Sequence, residues 1–494
     1  MTFPLLDLPD DIISFHLVDC LDSKDIINLF LTCKQLYQIL NSPVVWHSLY
    51  IKTFSDLGTD DYSFDSFYRW GPRVYKLRAN SRLLTFGSNV FARLGEQIGP
   101  VSSYSGHYER VGLQKRIFKP ITIDSIRNIA DISAGGFSFQ ILTTNGELYY
   151  TGHMWHGGMR LDCPGPESRD DAIPLSNVHN RGSSAISRVE TDQSNQGQTH
   201  FISVSSGRGH FIALDKSGII WTWDSSFQSN QGVPLRLIRN GSVGANAVIN
   251  RRITKIRAGW TLSSCLIDGV GIVIWSRRQN CTQWKNGRPV NSDGEYPAAF
   301  VSIVPKTADG NIADYVVLQD VLIYMTQKGR LFKVDNITET LPGHTNPGTR
   351  LNRFESYIKA HGSSKFVRLS GSFRTFTVIS NNDNVLIGKS SCDHYNTPQI
   401  VHELQHKSIS TISAGDYHFL ALSRAGKLYT WGRESRFNGC LGLGKVSDIV
   451  NARIGHIDQQ DLIVDKPTLN NIDGTVLAVA AAGWQSAILV GKDY

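Results

Sequence analysis

No stretch of about 18 consecutive apolar residues, the length that crosses a bilayer as a helix, occurs anywhere in the 494 residues. The opening MTFPLLDLPDDIISFH has neither a basic segment nor an unbroken apolar run, so no secretory leader is expected. Cysteine is sparse and unpatterned. Cys20, Cys33, Cys163, Cys265, Cys281, Cys392 and Cys440 are odd in number, scattered, and form no C-x-x-C pair. Zinc ribbons and redox couples are thereby excluded, and reduced thiols in a soluble protein of the cytoplasm, the nucleus or both are expected. Blocks of five or six like charges are missing too: 50 Lys and Arg stand against 43 Asp and Glu, a formal charge of +7 spread along the chain. That spread makes a weak case for a nucleic-acid partner. Neither a Ser, His and acid grouping with nucleophile-elbow spacing nor a pair of carboxylates stands out, so no catalytic residue, metal or cofactor is expected.

What the chain does contain falls into two organisations. Residues 4–54 read helically. After Pro9, the residues Ile12, Ile13, His16, Leu17 and Cys20 recur with helical spacing on one face. A second helix, with Ser23 as cap and Asp25 in its first turn, carries Ile26, Ile27, Leu29, Phe30, Leu31, Cys33, Leu36, Ile39 and Leu40. A third opens on Ser42-Pro43 and carries Val44, Val45, Trp46, Leu49 and Tyr50. A unit this small hides too little of its own area to bury so much apolar surface, and it needs a partner.

In order, Leu8-Pro9, Asp22-Ser23-Lys24-Asp25-Ile26-Ile27, Leu31-Thr32-Cys33-Lys34 and Pro43-Val44-Val45-Trp46 fall nearly at the spacing of the F-box family, which residues 4–50 resemble. Two departures exist: the first helix is one residue longer than the usual pattern, and Leu36 stands where an aromatic is common. The resemblance implies helices that insert into a Skp-type adaptor and, through it, reach a cullin scaffold and a RING subunit. The adaptor-binding face would be Leu8, Pro9, Ile12, Ile13, Leu17, Leu29, Leu31, Leu36 and Trp46.

From about residue 80 the chain repeats itself, and 44 glycines against 17 prolines give it a turn-rich β composition. The clearest copies are ISAGGFSFQILTTNGELYYTG (132–152), VSSGRGHFIALDKSGIIWTWD (204–224) and ISAGDYHFLALSRAGKLYTWG (412–432). Weaker ones begin at 256, 315 and 369. Each is a small-Gly pair, an alternating apolar strand, a Gly or Asn turn and a second strand. A seventh copy, VAAAGWQSAILVGKDY, ends before its second strand, while Leu83-Leu84-Thr85-Phe86-Gly87 forms an orphan strand at the other end. Pairing the two would close a ring and leave no sheet edge exposed.

With Phe86-Gly87 to Leu94-Gly95 and Trp431-Gly432 to Leu441-Gly442-Leu443-Gly444, this pattern resembles the regulator of chromosome condensation repeats. The expected architecture is mainly β: an all-α F-box domain at 1–54, a linker with a helical segment at 55–80, and a seven-bladed β-propeller at 81–494.

Several tempting motifs are set aside. His402-Glu403-Leu404-Gln405-His406 fits the H-E-x-x-H zinc pattern, but Ile400-Val401 and Leu404 read as a blade strand, which would hold the two histidines about 13 Å apart. The loop Gly439 to Lys445 mimics a phosphate loop, yet Val446 replaces the magnesium-binding Ser or Thr and no helix is read after it. His210 and His418 occupy one place in two copies, which marks them as structural side chains bonded within the sheet.

The two resemblances together imply a substrate receptor of a Skp/cullin/F-box ubiquitin ligase, which supplies proximity to a protein target rather than chemistry. Arg251, Arg252, Arg277 and Arg278, with Arg433 and Arg436, are the candidate target-binding residues, because a guanidinium receives carboxylate or phosphate bidentately. The rival reading is a Ran-type guanine-nucleotide exchange or chromatin-binding propeller, without the basic tail such a protein would use.

Overall fold

A computed structural model describes residues 5–17, 20–21, 23–54, 64–89, 92–95, 116–152, 186–191, 199–224, 231–239, 247–248, 251–276, 283–285, 288–290, 298–337, 347–393 and 395–492.

The head begins with a short turn, Leu5–Asp7, and a π-helical segment, Ile12–Leu17. A π turn takes one residue more than an α turn over the same rise, which accommodates the extra residue of this segment. Helices α1 (Ser23–Phe30), α2 (Lys34–Leu40) and α3 (Pro43–Thr53) follow. The sequence had suggested one continuous second helix through Leu40; the chain breaks it. The Thr32 hydroxyl donates to the Asn28 carbonyl at 2.8 Å, competing with the helical ladder, and Cys33 is extended (φ −153°) before α2 restarts. Helix α4 (Phe64–Ala79) then packs on α3 at Gly71, where a Cβ would lie 3.0 Å from that of Trp46.

At the end of α4, Arg78 is fully buried. Its Nη1 donates to the Ile129 carbonyl and its Nη2 to the Ala130 carbonyl, both at 2.7 Å. The same guanidinium sits 4.6 Å over the Phe54 ring at the end of α3. One side chain thus ties the head to the ring.

The ring is a seven-bladed β-propeller. Its inner strands, in chain order, are β3 (Ile129–Ala134), Phe201–Ser206, Ile253–Ala258, Ile312–Val317, Phe366–Ser372, Ile409–Ala414 and β4 (Thr475–Ala482). The seventh blade is shared between distant parts of the chain. Its order is β2 (Arg116–Ile123), β1 (Arg82–Ser88), β5 (Gln485–Gly491), β4, and β1 runs antiparallel to β5 from Arg82↔Val490 to Gly87↔Gln485.

The second strand of each blade was read as alternating. Phe139–Thr143, His210–Asp215 and Leu322–Thr326 are instead buried at every position. Blades stack face to face, so both faces of a central strand are covered and the apolar run is continuous. Ile212, Leu214 and Ile220 of the second blade, for example, pack with Ile256, Cys265, Val273 and Trp275 of the third.

The small-Gly pair has two physical causes. At Gly207 and Gly415 a Cβ would lie 2.5 and 2.1 Å from Cε1 of the histidine three residues on, so the imidazole occupies the space a side chain would need. The serines before them stitch blades together: the Ser206 N–H donates to Ser133 Oγ (2.9 Å), Ala258 N–H to Ser205 Oγ (2.9 Å) and Ala481 N–H to Ser413 Oγ (2.8 Å). His418 is buried and its Nε2 bonds Ser486 Oγ at 2.9 Å. Burial pushes its pKa down to about 4, leaving it neutral.

Two set-aside segments differ from their sequence reading. His402–Leu404 is a 3-10 turn rather than strand, because Gln405 bonds Val385 and Val401 and turns the chain there. A short helix, Val446–Asn451, does follow the Gly439 to Lys445 loop, with Asp448 in its first turn. That loop uses its amides internally: Glu434 accepts the N–H of Gly439 (2.8 Å) and of Leu441 (3.3 Å).

Candidate functional site

Every inner strand runs from the end nearest Arg78 to a tight turn at the far end of the central tunnel. In five blades that turn closes on one backbone bond, such as Gly135 N–H to Ser138 O (2.8 Å) and Gly415 N–H to His418 O (2.8 Å). The residues at the middle of the turns converge around the tunnel mouth. They are unlike one another: Phe137, Arg208, Trp260, Gln319, Phe373 with Arg374, Asp416 with Tyr417, and Trp484.

These side chains touch across blades. Trp260 of the third blade stacks on Phe373 of the fifth, with centroids 4.3 Å apart, and Phe373 meets Tyr417 edge-on at 6.0 Å. The Arg208 guanidinium lies 4.0 Å over Trp260 and 5.5 Å over Phe137, while Arg93 covers the other flank of Phe137 at 5.2 Å. Arg374 sits 5.0 Å over Phe373 and donates to Gln319 Oε1 at 2.8 Å. Tyr417 is 49% exposed. Aromatic rings and arginines around a recessed centre are the composition of binding hot spots.

Beneath the rim lies a cavity of about 270 Å³, whose charged lining residues are Asp131, Arg208, Arg257 and Asp416. Burial pushes the Asp416 carboxyl up, opposed by Arg208, the Gly483 N–H and Arg93. Burial also lowers Arg208, and lowers Arg93 to about 10, with Asp416 opposing in both cases. Deeper in, Lys255 pairs with Asp314, and burial, with Arg257 beside it, brings the lysine down to about 8. Among the described residues no cluster of three or more His, Cys, Asp or Glu could hold a metal ion.

The arginines chosen from sequence do not form one site. Arg251 and Arg252 are exposed at the start of the third inner strand, the end opposite the mouth. Arg277 and Arg278 lie outside the described residues. The Arg433 guanidinium is bound to Asp461, with Asp458 at 4.0 Å, so local carboxylates already engage it, while the backbone N–H of Arg436 donates to the same Asp461 at 2.8 Å.

The head's docking residues also divide. Ile13, Leu36 and Trp46 are buried in its core and are removed from any exposed face. Leu8, Ile12, Leu17 and Leu29 are half-buried, whereas Pro9 is exposed and Leu31 is 73% exposed. Tyr37, unnoticed in the sequence, is 46% exposed and packs on Phe30 at 4.5 Å. The break between α1 and α2 turns Leu31 outward and sets Tyr37, rather than Leu36, on the surface.

Residues 5–52 match the family described as F-box-like. The first three helices of the head match an F-box-like domain. Residues 409–438 match the regulator of chromosome condensation (RCC1) repeat, so the chain joins that domain to a propeller carrying this repeat. Over nearly their full lengths two curated proteins are similar to it. F-box protein pof9 of Schizosaccharomyces pombe is 25% identical, over 98% of this chain and 90% of its own. SCF-associated factor 1 of Saccharomyces cerevisiae is 25% identical, over 96% of each. Among solved structures, Prp20p of Saccharomyces cerevisiae superposes with a TM-score of 0.51 at 14% identity, covering 85% of this chain and 94% of that one, a likeness of fold.

Proposed function

We propose that the chain is a non-catalytic substrate receptor of a Skp/cullin/F-box ubiquitin ligase. The head docks a Skp-type adaptor through an apolar face that includes Leu31, Tyr37 and Leu29. The tunnel mouth holds the protein to be ubiquitinated. The observation that carries the reading is the placement of the two surfaces at opposite ends of one rigid body. Arg78 clamps the F-box-like domain to the start of β3, and the aromatic and arginine rim lies past its other end, about 20 Å away for six residues of strand. The names of the two long relatives, an F-box protein and an SCF-associated factor, support it.

A receptor of this kind works by geometry. Holding a target lysine near a loaded conjugating enzyme makes the transfer effectively intramolecular, and a rigid link between the docking surfaces maintains that distance. The fold it shares with Prp20p is no argument for nucleotide exchange, since function resides in sites rather than folds.

The test is co-purification of the full chain from cells, probing for Skp, cullin and ubiquitinated proteins on one side and Ran and histones on the other. Skp and cullin are expected with the wild type and are lost with Leu31→Glu and Tyr37→Glu combined, at an unchanged melt. Undiminished Skp in the double variant, or Ran without Skp, overturns the proposal.

A further inference from the structure

The tunnel mouth has the chemistry of a pocket for one negatively charged group. Arg208 is held by rings and not by an ion pair: Trp260 and Phe137 cover the guanidinium, and its Nε is buried with no hydrogen-bond acceptor among the described residues. Stacking occupies the faces of a guanidinium and leaves its in-plane N–H groups to find an acceptor. Arg257 lines the same cavity, and the hydrogen bond recorded for it goes to the adjacent Ile256 carbonyl, at 3.3 Å.

The carboxylates nearby do not balance these charges. Asp416 faces both Arg93 and Arg208 and spends an oxygen on the Gly483 N–H at 3.2 Å. A cavity of about 270 Å³ equals roughly nine water volumes, enough for a side chain and too small for a folded surface. The rim above it, Trp260, Phe373 and Tyr417, is a broad aromatic ledge across which an extended main chain can lie while one side chain drops into the pocket.

We propose that the mouth recognises an acidic side chain, Glu or Asp, projecting from an extended segment of the target, with Arg208 and Arg257 receiving its carboxylate and the aromatic ledge supporting the flanking residues. This rests on the reading of the mouth as the target site and adds the chemistry of what enters it. The carboxylate offsets the excess positive charge that Arg93 and Arg208 place beside Asp416.

The test uses the full chain bound to its adaptor and a positional library of seven-residue peptides, acetylated and amidated, with the central position fixed in turn as each amino acid. Retention of Glu and Asp pools about tenfold above the Gln and Asn pools is expected, the scale of one charge-assisted contact. The preference falls to parity in Arg208→Met and in Arg257→Met, and returns in part in Arg208→Lys, each variant melting like the wild type. Parallel pools carry a neutral centre with a free C-terminal carboxylate, or a phosphoserine centre. Preference for either of those over Glu, retention without acidic preference, an acidic preference that survives both Met variants, or no retention of any pool overturns the proposal. Adaptor binding is read in the same samples: its loss counts against the ligase reading, whereas intact adaptor binding with no acidic preference counts against the pocket chemistry alone.

Discussion

Replacing Arg78 by Met would remove the hydrogen bonds by which this side chain ties the head to the ring while nearly preserving its volume. The guanidinium gives two hydrogen bonds of 2.7 Å to the carbonyls of Ile129 and Ala130, and it covers Phe54 at 4.6 Å. A hydrogen bond from a charged donor contributes about 1.5–3 kcal/mol, and a desolvated cation over a ring about 2 kcal/mol. Against that gross sum of about 5–8 kcal/mol stands the desolvation of a fully buried charge, which the Met variant is spared. A net loss of about 3–5 kcal/mol is expected, the range seen when one member of a buried charged contact is removed. At about 2–4 °C per kcal/mol, calorimetry should show a drop of roughly 6–20 °C. The loss should separate into two steps, the helical head melting first and the ring later. Skp binding at low temperature should persist, because the docking face lies elsewhere on the head. A single transition at the wild-type temperature would refute the idea that Arg78 couples the two parts.

Three further outcomes are expected. Deleting residues 484–494 removes β5 from between β1 and β4, so the far-UV signal of the whole ring should be lost; a cooperative melt at the wild-type temperature would contradict closure by that strand. Gly415→Ala should cost about 2–3 kcal/mol in denaturant unfolding, since its Cβ would lie 2.1 Å from the buried His418 ring, and a cost below about 0.5 kcal/mol would mean the ring has room to move. Burial raises Glu434 to about 7 and lowers His418 to about 4. From about pH 4.5 to 6.5 the raised acid therefore makes stability fall as pH rises while the depressed base makes it rise, and the two slopes oppose each other. Glu434→Gln removes the first, so the variant's stability should climb with pH over that window; a profile parallel to the wild type's would count against the raised carboxyl.

The ring and the head were legible because each is carried by a repeated constraint. The small-Gly pair recurs because serines reach the neighbouring blade and the glycine has no room for a Cβ, which a buried imidazole would meet at Gly207 and Gly415 and Val317 at Gly259. The tunnel mouth was not legible for the complementary reason. Phe137, Arg208, Trp260, Phe373 and Tyr417 share a turn position but no chemistry, and only superposing the copies would have shown large side chains where turn formers belong. Paired arginines such as Arg251-Arg252 drew notice as charge, yet their strand end puts them at the wrong end of the tunnel, and Arg433 already has its carboxylates. In the head, the family resemblance put Leu36 and Trp46 on the docking face; in α2 Leu36 instead faces the core and Tyr37 the surface, and on α3 Trp46 is buried.

The divided seventh blade sets an order of events during synthesis. The F-box-like head and the hairpin of β1 and β2 leave the ribosome early, but the strand that completes their sheet comes about 400 residues later. At about 5–20 residues per second, that is roughly 20–80 seconds in which the edge of β1 has no partner from its own chain. A chain interrupted before that strand would therefore bear the head on a ring with one open sheet edge. β5 fills the place between β1 and β4, and the seventh blade exists only once that strand has joined.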